Sequence, residues 1–398
     1  MSAESRAWGW VAALRAGSTT SWLDWTADPG ADPVADAPAT GPRLPGAQHL
    51  ALLLRLNRRA ADSGRSLPAG LADRVVAADV TGRGRAELTL TGLDGSGFGP
   101  SPVDPDALEA AELLRVASLL LAEDVARQPV AQRSTIERVR SASHRWRQLT
   151  QPFVVVGSPW RAGAARADLA GQGHPSGGRR PTAYLLAPDL ATLLADAWTV
   201  RSFDQGGVTW GAFVKGAAGA GGLPPRADLP RMARSAAQRY DAGKVVIVTD
   251  PARLADALGV ADVAAPPRLG ADAVDLVRRI GDPLGLLVDH ERRPSLLHTA
   301  LVDRLDGRGG PAPTVPPRWS SWLDAQAERA RHDLAAAGYP VLGDLDALLP
   351  GPQPTEPVRP VDDAVLGLAL DLLLDPVAGA AQASGQGRDQ GRDQGRDQ

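Results

Sequence analysis

The chain contains no cysteine. That excludes disulfides, thiolate metal sites and cysteine nucleophiles. Lysine occurs only at 215 and 244, and asparagine only at 57. Aromatic residues make up 4%, so Ala, Leu and Val must supply most of a core drawn from a 43% hydrophobic composition. Neither sign of charge dominates: 43 basic residues face 46 acidic ones, a net of −3. This balance predicts no strong electrostatic attraction to nucleic acid or to membranes. No apolar run approaches the roughly 18 residues of a membrane span. The start, Met1-Ser-Ala-Glu-Ser-Arg6, lacks a basic segment followed by an apolar one, so the expected location is the cytoplasm. No Gly-x-Ser-x-Gly elbow, His-Glu-x-x-His pair or Gly-Lys-Ser/Thr loop occurs. The abundance of Arg, Ala, Gly and Pro beside so little Lys reads as the product of a GC-rich, bacterial genome.

What is present divides along the chain. Residues 1–150 read as a mainly helical N-terminal domain. Helices are expected at Arg6–Ala16, Gln48–Ala60 and Pro68–Ala78, from Asp104 to about Arg127, and over about 131–149. Residues 27–46 carry repeated Pro, Gly and Asp and read as a loop, and Ala86–Leu93 alternates like a strand. From 152 the pattern changes to short apolar runs alternating with helices, at 153–157, 182–187 and 244–249. That predicts an α/β domain over 151–352, a three-layer arrangement with a mostly parallel sheet and crossover helices. Further helices are expected at about 228–241, 252–258, 271–280, 295–305 and 319–336, then an extended segment at Gly338–Asp346. Residues 353–376 hold a C-terminal helix. Residues 377–398 end in repeated Gly-Arg-Asp-Gln, lack apolar content and are expected to be disordered.

Two strand-then-helix units carry the chemistry. The first is Phe153-Val-Val-Val-Gly157-Ser-Pro-Trp-Arg161-Ala-Gly163-Ala-Ala-Arg166. The second is Ala183-Tyr-Leu-Leu-Ala187-Pro-Asp189, followed by a helix through Trp198. A helix start leaves backbone N–H groups free, and an anion can take them. Arg161, Gly163 and Arg166 are therefore candidates for anion or nucleotide binding, with a solvated surface turn as the alternative. The loop His174-Pro-Ser-Gly-Gly-Arg179-Arg180 gathers a histidine, a serine and two arginines just before the second run. Arg179 and Arg180 are further candidate cations, and His174 is a weak candidate for a general base.

Several stretches in order resemble the sulfotransferase-like proteins of actinobacteria, a branch of the P-loop sulfotransferase superfamily. They are Pro188-Asp189-Leu190-Ala191 with Trp198, Val208–Val214, Asp228-Leu-Pro-Arg-Met, Val245-Val-Ile-Val-Thr, Leu269-Gly-Ala-Asp through Arg278-Arg279, and Gly338-Tyr-Pro-Val-Leu-Gly343-Asp344-Leu-Asp346. The resemblance covers about 183–350 and implies a parallel sheet with a site for 3′-phosphoadenosine-5′-phosphosulfate. It would place Arg161 at the family's Lys position, Gly163 at its loop Gly, and Asp189 at the second helix start. Alanines at 162, 164 and 165 stand where hydroxyls are expected, and Ala187 and Ala195 stand where Arg and Ser would hold the 3′-phosphate. The resemblance thus implies a degenerate, non-catalytic or weakly nucleotide-binding module.

Two other readings compete. An active sulfotransferase could draw charge from Arg161, Arg179 and Arg180 and use His174 as its base, acting on a small acceptor. A structural protein could instead bind a protein partner through residues 1–150. Other features read more plainly. Gly95–Gly99 and the Gly/Ala run 216–222 fit no dinucleotide fingerprint, and the latter reads as a lid or linker. Asp289-His290-Glu291 lacks a second histidine at helical spacing, so no metal site is expected. The ten tryptophans read as core, with adenine stacking on Trp160 or Trp210 as the alternative.

Overall fold

A computed structural model describes residues 2–28, 44–79, 87–93, 101–129, 152–352, 354 and 356–375. Most of the segment 27–46, the helix expected over 131–149, Gly95–Gly99 and the repeat tail lie outside the described residues. The chain divides into two compact units. The first comprises Met1–Pro129, Arg279–Ala300 and Val361–Gln398; the second comprises Val130–Arg278 and Leu301–Pro360.

The first unit is helical among its described residues. It contains α1 (Ala3–Arg15), α2 (Trp22–Ala27), α3 (Ala47–Asp62), α4 (Leu71–Ala77) and α5 (Ala110–Ala126). Ser2 and Ser21 cap α1 and α2 by accepting from the N–H groups of Ser5 and Asp24. α3 is buried on nearly every side, with Leu50, Leu52, Leu53, Leu54 and Leu56 all sealed from solvent. His49 on α3 is buried and donates from Nε2 to the Ala78 carbonyl at 2.8 Å. Burial pushes its pKa down.

Two expectations are corrected here. Asp104 does not start the long helix. Its carboxylate accepts from the Asp106 N–H and closes a short 3-10 turn over Pro105–Ala107. Leu108 and Glu109 are then extended, and α5 begins only at Ala110. Ala86–Leu93 is not a strand across its described part. Leu90 makes one isolated bridge to Val103, and the chain turns at Gly92, whose φ is +85°.

The second unit is built on a four-stranded parallel sheet: β1 (Phe153–Gly157), β2 (Thr182–Leu186), β3 (Val245–Val248) and β4 (Val341–Leu342), in spatial order β1-β2-β3-β4. Phe153 pairs with Thr182, Gly157 with Leu186, Ala183 with Val245 and Val248 with Leu342. Its helices are α6 (Pro159–Gly171), α7 (Leu190–Gln205), α8 (Trp210–Gly219), α9 (Leu229–Tyr240) and α10 (Pro251–Leu258), with parts of α11 (Ala271–Leu287) and α12 (Arg293–Leu305), and then α13 (Ser320–Ala336). The division between units falls inside α11 and α12. α8 absorbs most of the Gly/Ala run 216–222, which is therefore mainly helix rather than a lid.

Strand alternation explains the packing. Phe153, Val155 and Val248 share one sheet face and close a cluster with Ala162, Ala165 and Leu169 of α6 and Leu254 and Leu258 of α10. The alternate residues Ala183, Leu185, Val245 and Ile247 are fully buried, and α9 packs along β1, β2 and β3.

α14 (Asp362–Leu374) belongs to the first unit and lies against α5 and α3. Arg59 Nε holds Asp371 at 3.0 Å, and Arg65 Nη2 donates to the Leu374 carbonyl at 2.8 Å, capping the end of the helix.

Candidate functional site

α/β sheets carry their ligands at the carboxyl ends of the strands, where the helices start. Three of the four strand ends here satisfy themselves. After β2, Asp189 accepts from the Thr192 N–H at 3.0 Å and from its hydroxyl at 2.6 Å. After β3, Asp250 accepts from the Ala252 N–H at 2.9 Å. After β4, Asp344 accepts from the Asp346 N–H at 2.9 Å. Each carboxylate takes the place that an external anion would need.

The end of β1 is different. Gly157 has φ +130°, and a Cβ there would come within 2.9 Å of the Leu186 carbonyl oxygen, so glycine is required. Ser158 follows as the N-cap of α6 without capping it through its side chain. The residue is fully buried, and its Oγ has no hydrogen-bond partner. Pro159 occupies the first helical position, which needs no N–H.

Arg161, the cation of this turn, is already engaged. Its Nε donates to Asp196 Oδ2 of α7 at 2.6 Å, and the two side chains are 24% and 10% exposed. Burial pushes the Asp196 carboxyl up to about 6, against the opposing pull of the Arg161 guanidinium. Asp189, seven residues earlier and hence on the same helix face, pushes it up slightly further. Sequence inspection passes over Asp196. The one signal is a carboxylate inside the otherwise uncharged run Leu190–Val200, two helical turns after an N-cap aspartate.

This pair has a measurable pH signature. A carboxyl whose folded pKa is raised contributes stability that is complete below its unfolded value near 4 and is lost as pH rises through about 6. The Asp196→Asn variant should therefore gain stability relative to the wild type by about 1 kcal/mol between about pH 5 and pH 7.5. Urea denaturation at the two pH values checks it, and taking the difference removes the opposite acid sensitivity of buried His49, whose pKa is pushed down. No change in the difference would contradict the assignment.

The other candidates lie elsewhere. Arg166 Nη1 donates to the Val155 carbonyl of β1 at 3.2 Å. Gly163 is inside α6, and nothing stands within 4 Å of where its Cβ would be. Ala162 and Ala165, at expected hydroxyl positions, are core residues, each 1% exposed. Ala187 and Ala195 are buried as well.

His174, Arg179 and Arg180 sit at the opposite, amino end of the sheet. Gly177 N–H donates to the Phe153 carbonyl at 2.7 Å, tying this loop to the beginning of β1. Arg180 lies two residues before β2, and its carbonyl accepts from Lys244 Nζ at 2.8 Å, at the entry to β3. A five-residue strand separates this end from the start of α6 by roughly 13 Å. The structure does not bring the two groups of cations together.

Trp160 is stacked on Phe203 with ring centroids 5.4 Å apart, and its N–H goes to the Pro267 carbonyl. Trp210 is 2% exposed and donates to the Thr314 carbonyl at 2.8 Å. Neither offers a face to a base. Among the described residues no group of three His, Asp or Glu could hold a metal ion, and no helix is long and apolar enough to cross a membrane. No protein-family model, curated protein or solved structure matches this chain.

Proposed function

We propose that the second unit is a sulfotransferase-like module, a three-layer α/β domain whose donor site no longer supports efficient sulfuryl transfer. It acts as a binding or scaffolding element in the cytoplasm. Residues 1–150 form its mainly helical companion domain and offer a surface to a protein partner rather than to nucleic acid. The actinobacterial sulfotransferase-like resemblance at 183–350 supplies the family, and one observation carries the loss of activity. The single cation at the first helix start, Arg161, is held by the protein's own Asp196 at 2.6 Å.

The donor is polyanionic, so its site needs cations, hydroxyls and open N–H groups. Here Ala162 and Ala165 face the core, and Asp189 takes the N–H that opens α7. Each missing charge-assisted contact is worth roughly 1.5–3 kcal/mol. Three or four such losses lower affinity by several orders of magnitude.

Calorimetric titration of the full chain with 3′-phosphoadenosine-5′-phosphate tests the reading. The expected result is no saturable binding below about millimolar ligand at neutral pH. A micromolar dissociation constant would overturn it.

A further inference from the structure

We propose that Asp196 is an internal competitor for the anion site at the start of α6: ionised, it occupies Arg161 and excludes external anions, and neutralised, it opens the site to a small divalent oxyanion. This inference rests on reading the α6 start as a former anion site, and it adds a control for that site.

Three observations support it. Asp196 reaches across from α7 to Arg161, the third residue of α6, at 2.6 Å. Ser158, the N-cap residue of the same helix, is fully buried and has an Oγ with no partner, although serine at that position ordinarily caps. A buried hydroxyl without a partner is a costly arrangement, and an oxyanion at the helix start would supply the missing acceptor. Third, the Arg161 side chain is 24% exposed, so an anion arriving from solvent can meet its guanidinium.

The charge balance decides occupancy. The groups acting electrostatically on Asp196 are Arg161 from α6 and Asp189 from the start of its own helix. With Asp196 ionised, Arg161 is neutralised and a second anion meets two carboxylates. With Asp196 neutral, Arg161 is released to face the site together with the N–H groups of a 13-residue helix, and Asp189 is the one carboxylate left to oppose an anion. Burial holds the Asp196 carboxyl near 6, so the exchange falls within an accessible pH range.

Inorganic sulfate is the probe, because it stays doubly charged across that range. Binding to the full chain is followed by calorimetry at about pH 7.5 and pH 5.5. At the higher pH, Asp196→Asn should bind sulfate about tenfold or more tightly than wild type, and adding Arg161→Gln should remove the gain. Wild type should tighten on going to the lower pH, while Asp196→Asn should not. Should Asp196→Asn fail to fold, the wild-type pH comparison decides alone. Equal sulfate affinity in wild type and Asp196→Asn, a gain that survives Arg161→Gln, or a pH-independent wild type would each overturn the proposal. Tight nucleotide binding by wild type at neutral pH would instead refute the proposed loss of the donor site, so the two failures are separable.

Discussion

Gly270→Ala is expected to destabilise the second unit by about 4 kcal/mol, combining overpacking with the loss of backbone hydrogen bonds. Gly270 immediately precedes α11, and the loop Gly307–Pro311 covers that helix start. Gly270 N–H donates to the Arg308 carbonyl at 3.0 Å, Ala271 N–H to Pro311 at 2.9 Å and Asp272 N–H to Gly309 at 3.2 Å. A Cβ on residue 270 would stand 2.0 Å from the Gly309 oxygen and 2.2 Å from that of Gly310. Both obstacles are backbone, so no rotamer change relieves the overlap. The loop must leave the helix start and surrender its hydrogen bonds. Gly163→Ala is the control: it lies in open space inside α6 and should stabilise by about 0.5–1 kcal/mol. Urea denaturation of the two variants measures the contrast. A loss below about 1 kcal/mol for Gly270→Ala would contradict this packing.

Trp198→Ala should cost about 3–5 kcal/mol, the range for truncating a fully buried large aromatic. Trp198 has no exposed surface, and its ring lies 5.5 Å from that of Trp210. Its Nε1 donates to the Val208 carbonyl at 3.0 Å, so truncation also strands an acceptor. Trp198→Phe keeps most of the volume and loses the donor, and should fall between the two. Denaturation midpoints for Ala and Phe should rank in that order. Near-wild-type stability of Trp198→Ala would mean that α7 is not seated as described.

The sheet was the most legible part of the sequence. Short Val- and Leu-rich runs ending in Gly or Pro mark β1, β2 and β3, because a strand in a parallel sheet is covered on both faces. The helix starts that follow Asp189, Asp228 and Asp250 are legible in the same way. Each aspartate follows or precedes an abrupt change of period, and each accepts a backbone N–H near the start of its helix. Separation of the Arg179-Arg180 loop from Arg161 follows from parallel pairing alone. A loop entering β2 must lie at the amino end of the sheet, whereas the helix leaving β1 starts at the carboxyl end.

Other features depend on contacts distant in sequence. The Arg161–Asp196 pair joins residues 35 apart, and Arg59–Asp371 joins residues 312 apart. Helical periodicity shows that α14 has an apolar surface but not that α3 and α5 receive it. Asp104 misleads because a capping aspartate followed by proline suits a 3-10 turn as well as an α-helix. Gly270 and Gly309 look like ordinary glycines until the loop is seen lying against the start of α11.

The most direct test of this account is the titration of the Asp196 side-chain carboxyl by carbon-13 NMR, in wild type and in Arg161→Gln. A buried carboxylate committed to Arg161 should titrate at about 6 in wild type and higher once the guanidinium is removed. A midpoint near 4 that is indifferent to Arg161→Gln would place Asp196 in water and leave the α6 start without its internal competitor.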